Sequence, residues 1–180
     1  MKYYRKLCGK HVYLSPMNVE DAEQYVNWLT NAEVTDRLGQ TAIVTSLESE
    51  KEWITKNSSE KTFAIVSNDT DSLIGNCGFN WTDPVKRSGE IGIFIGDKEN
   101  RGKGYGSEAV TLLLEFGFNV LNLHSICLTC FSFNGQAAAC YKKCGFREAG
   151  KKREAAFCNG KYCDVIIMDI LEDEFRKERV

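Results

Sequence analysis

The sequence predicts an α/β sandwich around a central mixed, mostly antiparallel sheet. Three observations point there. Short apolar or alternating runs are interleaved with amphipathic helical stretches, a strand–helix–strand–helix series occupies residues 88–144, and a long hairpin turns at Asn159-Gly160. With 180 residues, 43 % of them hydrophobic and 27 % charged, the chain suits one domain, 1–180, with a substantial core.

The elements follow in order. Residues 10–14 alternate and end at Ser15-Pro16, a short strand. Asn18 caps a helix to Leu29 with Ala22, Tyr25, Val26 and Leu29 on its inner face. Residues 31–38 form a weaker helical turn before Gly39. Ser46 then caps a helix over 47–56 with Trp53 and Ile54 inward. Residues 62–67 and 72–81 are strands joined by the turn-forming stretch 68–71. Residues 88–96 make a strand, and 104–120 the longest helix, burying Val110, Leu113, Leu114 and Phe118. A strand over 125–131 precedes a helix over 135–144 that Gly145 stops. Residues 146–157 and 161–170 form the closing hairpin, and 171–180 a charged helical end.

Composition excludes several classes. A net charge of −2 argues against non-specific nucleic-acid binding. No apolar run approaches the ~20 residues that span a bilayer, and the charged first six residues precede no apolar leader segment. A cytoplasmic protein with no membrane partner is the expectation. Among the eight cysteines, Cys127 and Cys130 are three apart in a strand and face opposite sides, so they make no metal knuckle. Cys140 and Cys144 are one helical turn apart, and Cys158 and Cys163 are placed to face each other across the hairpin turn. No paired C-x-x-C units are present, which predicts free, reduced, mostly buried thiols and no metal.

Residues 101–109, Arg-Gly-Lys-Gly-Tyr-Gly-Ser-Glu-Ala, carry the most chemistry. Three glycines leave the turn's N–H groups uncovered, and a helix begins at once, so its unpaired amides and dipole point into the same space. That is a site for a phosphorylated ligand. Gly104 to Ala109 also satisfies the dinucleotide fingerprint, but no carboxylate follows the strand 125–131 to hold a ribose. A Walker A loop needs Ser or Thr after Gly-Lys, and Lys103 is followed by Gly104. A glycine-rich turn with no ligand is the plainest alternative.

With Arg101, Gly104 and Gly106 at its three positions, the loop resembles the Arg/Gln-x-x-Gly-x-Gly/Ala signature of the GCN5-related N-acetyltransferases (GNAT). Leu7-x-Gly9-x-x-Val12-x-Leu14-x-Pro16, then Asp21 and Trp28, is similar to the opening of the ribosomal-protein N-acetyltransferase branch, with Ser15 where arginine is common. The series Asn122-Leu-His, Asn134-x-x-Ala137, Tyr141-x-x-x-Gly145-Phe146, Glu148-x-Gly150 and Asn159-Gly160-x-Tyr162-x-Asp164 resembles that branch and the spermidine N-acetyltransferases.

The resemblance implies a GNAT-type sandwich in which strand 90–96 splays from its parallel neighbour 125–131, with Gly92 supplying a bulge. It implies that the backbone of Ile93, Phe94 and Ile95 pairs with the pantetheine arm of acetyl-CoA. Gly102, Gly104, Tyr105, Gly106 and Ser107 would take the pyrophosphate, with Arg101 and Lys103 adding charge. Asn134 would cap a helix and bond the pantetheine, and Lys143 with Lys142 would reach the 3′-phosphate or stay solvated. Tyr141 matches the general acid that protonates the departing thiolate. Glu90 is the candidate base, directly or through water. His11 and His124 read as structural.

The implied activity is transfer of acetyl from acetyl-CoA to a primary amine by direct attack. The acceptor is a small amine such as a polyamine or antibiotic, or a protein N-terminus, and a homodimer is the assembly seen in such relatives. The alternative is a non-catalytic acyl-CoA-binding regulatory module. Glu20, Asp21, Glu33 and Asp36 are carboxylates placed either to attract a cationic amine or to remain as surface charge.

Overall fold

A computed structural model describes residues 2–58 and 60–177. Its strands are β1 (Leu7–Cys8), β2 (Val12–Pro16), β3 (Thr62–Ser67), β4 (Leu73–Asp83), β5 (Ser88–Ile95), β6 (Ser125–Phe131), β7 (Arg147–Cys158) and β8 (Lys161–Leu171). Its helices are α1 (Ala22–Leu29), α2 (Ala32–Leu38), α3 (Leu47–Asn57), α4 (Tyr105–Asn119), α5 (Gly135–Lys143) and α6 (Glu172–Lys177). The strands are ordered β1-β2-β3-β4-β5-β6-β8-β7. β5 and β6 run parallel, while β1–β2, β2–β3, β3–β4, β6–β8 and β7–β8 are antiparallel. This is the mixed, mostly antiparallel sheet expected. The two-residue β1, too short for any periodicity, is the one strand not foreseen.

The chain forms two compact units, Met1–Gly78 with Ile93–Ala109, and Phe79–Gly92 with Val110–Val180. In the first, the Asn18 side chain accepts from the Glu20 N–H at 3.0 Å and caps a single 3-10 turn, so α1 itself starts only at Ala22. The inner face of α1 is Ala22, Tyr25 and Trp28, whereas Val26 and Leu29 are only half-buried. On α3 the buried pair is Glu50 and Ile54, one turn apart, and Trp53 points out at 41 % exposure, contrary to expectation. Burial pushes the Glu50 carboxyl above its usual range.

Tyr25, Trp28 and Phe94 pack mutually edge-to-face with centroids 5.6, 6.2 and 5.9 Å apart. Trp28 also lies over Gly96, where an added Cβ would sit 2.1 Å from its ring, and its indole N–H donates to Asp97 at 2.8 Å. Gly96→Ala therefore forces the ring or the strand aside. The expected loss is about 1–3 kcal/mol, read as a lower urea midpoint at unchanged slope.

In the second unit, α4 buries Val110, Leu112, Leu113, Leu114 and Phe118, with Ile126 and Leu128 of β6 and Met168 and Ile170 of β8 also in the core. Asn159 and Gly160 have φ of 51° and 77°, the two left-handed residues of a type I′ turn, which fixes the hairpin register. At the C-terminal end Phe175 packs on Phe118 at 5.2 Å. The last three residues of the expected helical end lie outside the described residues. None of the eight cysteines is in a disulfide, and against the expectation of mostly buried thiols only Cys77 and Cys144 are buried. Cys8 is exposed and the other five are half-buried, because their strand faces and helix flanks are only partly covered.

Candidate active site

In the first unit, a 3-10 turn at Lys98–Asn100 leads from β5 into residues 101–104, and α4 follows directly over 15 residues. Gly102 and Gly104 have φ of +75° and +89°, and nothing lies within 4 Å of where a Cβ would stand. The glycines are needed for backbone conformation, not for space. Residues 102–104 are exposed, and Tyr105, Gly106 and Ser107 half-buried. Exposed residues on a left-handed turn ahead of a long helix are the arrangement the expected phosphate contact calls for. Glu108, in the first turn of α4, accepts from the backbone N–H of Lys10 and, at 3.0 Å, of His11, which pins the start of the helix.

Arg101 takes a different place from the one expected. Its guanidinium donates to Ile95 O at 3.3 Å, Gly96 O at 2.7 Å and Glu33 Oε1 at 2.9 Å, and the side chain is 13 % exposed. Three donors are thus committed to the chain itself, and Glu33 neutralises the charge. Arg101 braces the loop against the end of β5 and α2. Lys103 is exposed. Ile93, Phe94 and Ile95 are half-buried, and the Phe94 ring belongs to the aromatic cluster.

Of the four carboxylates considered for an amine, Asp21 is buried at 3 % exposure beneath the Tyr3 hydroxyl (2.9 Å) and Lys2 Nζ (2.5 Å). It is structural. Glu33 holds Arg101, Asp36 accepts from Thr41 at 2.6 Å, and Glu20 is exposed.

In the second unit, β5 and β6 are laddered over three pairs, Ser88–Ser125, Gly89–Ile126 and Glu90–Cys127, although both strands run on. Gly92, expected to open the gap, lies two residues beyond the last pair and faces the Asn80 side chain. Glu90 is held by both oxygens: Asn80 Nδ2 donates to Oε1 and Trp81 Nε1 to Oε2, each at 3.1 Å. Across the strands Glu90 is level with Cys127, and Cys127 with Asp169, so two carboxylates flank one thiol on one face. Burial, then the Glu90 and Asp169 charges, push the Cys127 thiol up.

Cys130, three residues along β6, faces the opposite side, and Tyr141 lies within electrostatic reach of Cys130, Cys140 and Cys144. Tyr141 is 7 % exposed, its ring 6.2 Å from Phe146, and burial holds the phenol proton well beyond the ordinary tyrosine range. Asn134 caps α5, its side chain accepting from the Ala137 N–H at 3.2 Å. Lys142 and Lys143 are exposed in the last turn of α5, and His11 and His124 are exposed. Among the described residues no group of three or more His, Cys, Asp or Glu side chains is arranged to hold a metal ion, and no helix is long and apolar enough to cross a membrane.

The acetyltransferase (GNAT) domain profile matches residues 11–147. The chain belongs to the GNAT acetyltransferase family. It is similar to an uncharacterized N-acetyltransferase p20 of Bacillus licheniformis, 29 % identical over 175 residues, 94 % of this chain and 97 % of that one. It is also similar to the spermidine N(1)-acetyltransferase of Vibrio cholerae, 35 % identical over 111 residues, 62 % of this chain and 64 % of that one. The crystal structure of V. cholerae spermidine N-acetyltransferase in complex with CoA and spermine matches with a TM-score of 0.84 at 27 % identity, covering 93 % of this chain and 99 % of that one.

This GNAT protein is an acetyl-CoA-dependent N-acetyltransferase that acetylates an amine. Nothing in these likenesses favours the non-catalytic alternative. Several residues around its site escaped the sequence reading. Asn80 and Trp81 orient Glu90, and a signal existed: counting outward from residues 84–87 between β4 and β5 puts Trp81 level with Glu90. Asp169 left no such signal, and Glu33, expected to meet an amine or solvent, gave no sign of its pairing with Arg101, because these partners are remote in sequence.

Proposed function

We propose that this acetyltransferase, working as a single domain, moves acetyl from acetyl-CoA to a primary amine of a small polycation, polyamines foremost, by direct attack. The observation that carries the acceptor reading is the row Glu90–Cys127–Asp169, two carboxylates two strand spacings apart (~10 Å) on one face. A polyamine offers a second ammonium to such a row, and a monoamine or a peptide N-terminus does not. The relatives named for spermidine support the same class.

In this reading the amides of Gly102, Lys103, Gly104, Tyr105, Gly106 and Ser107 bind the pyrophosphate, and the backbone of Ile93, Phe94 and Ile95 takes the pantetheine arm. Asn134 adds a polar contact to that arm, and Lys143 with Lys142 meets the 3′-phosphate. Acetyl-CoA supplies the activated acetyl group. An alkyl ammonium has a pKa near ~10, so a proton must leave before attack. Glu90, aimed by Asn80 and Trp81, takes it directly or through water. A strand N–H polarises the thioester carbonyl, and Tyr141 protonates the departing thiolate. The elevated thiols of Cys127 and Cys130 are poor nucleophiles, in keeping with direct attack. A homodimer is the expected assembly, checked by light scattering.

Arg101 is a positioning residue in this scheme. Arg101→Ala should raise KM for acetyl-CoA about 10-fold, worth ~1.4 kcal/mol, with kcat little changed, because the loop loses its brace and the chemistry keeps its groups. The acceptor reading is tested by thiol release from acetyl-CoA against spermidine, spermine, a monoamine, an aminoglycoside and short peptides. Polyamines should show the highest kcat/KM. Preferred turnover of the peptides or the monoamine would overturn it.

A further inference from the structure

The closing hairpin holds a pair of thiols that acetyl transfer does not use. Cys158 ends β7 and Cys163 is the third residue of β8, either side of Asn159-Gly160. The register pairs Cys158 with Lys161 and Ala156 with Cys163, so the two cysteines are diagonal neighbours on one face. Phe157 and Tyr162 occupy the other face with rings 5.1 Å apart. Diagonal neighbours in a flat ladder have Cα atoms about 7–8 Å apart, just past the usual disulfide span of about 4.4–6.8 Å. A narrow ribbon twists more than a broad sheet, which draws one diagonal together. Here the two thiols share that face and interact across the turn. Both residues are half-buried and within reach of a small reagent.

We propose that Cys158 and Cys163 are a dithiol modification site, closing reversibly to an intramolecular disulfide by exchange with a small-molecule disulfide such as oxidised glutathione. The Cys158 thiolate attacks one glutathione sulfur, and the first reduced glutathione leaves. The Cys163 thiolate then attacks Cys158 Sγ in the mixed disulfide, and the second leaves. Two protein S–H bonds are lost and one S–S bond forms. The S–S bond of the oxidant is broken, and two electrons and two protons end on two glutathione thiols. Burial and the Cys158 contact push the Cys163 thiol up. That suits Cys163 to the second step, where attack within one hairpin offsets a small thiolate fraction. The product ties the hairpin tip across its turn.

The test uses the full-length reduced protein, equilibrated across a series of reduced-to-oxidised glutathione ratios, acid-quenched, alkylated after denaturation and mapped by peptide mass spectrometry. The expected product is a Cys158–Cys163 cross-linked peptide two hydrogens lighter than the dithiol form, under conditions that still leave Cys77 and Cys144 alkylated. C158S and C163S should each abolish it and leave glutathione on the remaining hairpin cysteine. Recovery of both residues as free thiols across the whole series, or as two separate glutathione adducts, would overturn the proposal. The wild-type readout does not depend on how either variant folds, nor on whether the enzyme acetylates polyamines.

Discussion

Tyr141→Phe lowers kcat about 100- to 1,000-fold, the ordinary worth of a positioned general acid, while KM for acetyl-CoA stays within about twofold. Only the hydroxyl is removed. The ring keeps its burial and its contact with Phe146, so the thermal midpoint should hold. The pH dependence sharpens the expectation. Tyrosine is competent as an acid while protonated, and burial raises its pKa above the usual value. Ionisation of this phenol therefore takes nothing from the rate as pH climbs to about 10, the ordinary tyrosine pKa. An alkaline limb well below that value which vanishes in Tyr141→Phe would show that the phenol is not held as described. Stopped-time thiol assays across pH on both proteins make the comparison.

Glu90→Gln carries the second large effect, a loss of about 100-fold in kcat/KM near neutral pH. Glutamine keeps the length but lacks the basic oxygen, and one of the donors from Asn80 and Trp81 would then meet an NH₂ group. The deficit should shrink as pH rises toward ~10, because the amine then arrives deprotonated and needs no base. A constant deficit at every pH would assign Glu90 to amine binding rather than proton removal.

Much of this was legible in the sequence, and the physical reason differs from residue to residue. Gly102 and Gly104 could be read because only glycine sits comfortably in the left-handed conformations they adopt. Asn159-Gly160 fixed a hairpin for the same reason, and Asn134 announced itself as a cap. Tyr141 is singled out only by a resemblance, through its spacing from Asn134 and Gly145-Phe146. Helix phase was harder. α1 is eight residues long, too short for its periodicity to choose Trp28 over Val26 and Leu29. On α3, packing against α1 selected Glu50 and Ile54 and left Trp53 outside, so hydrophobicity alone misled. Arg101 meets Glu33 across 68 residues of chain, and Asp21 is covered by Lys2 and Tyr3 returning over it. Such contacts exist only once the elements have packed.

In the proposed mechanism acetyl passes straight from acetyl-CoA to the amine, with Tyr141 and Glu90 as the working pair. The half-buried thiols of Cys127 and Cys130 give the covalent alternative a concrete form, an acetyl-cysteine. Intact-protein mass spectrometry after mixing enzyme with excess acetyl-CoA and no acceptor decides between them. Direct transfer leaves the enzyme at unchanged mass, with turnover starting as soon as spermidine is added. Stoichiometric acetyl on Cys127 or Cys130, discharged by spermidine at the turnover rate, would contradict it.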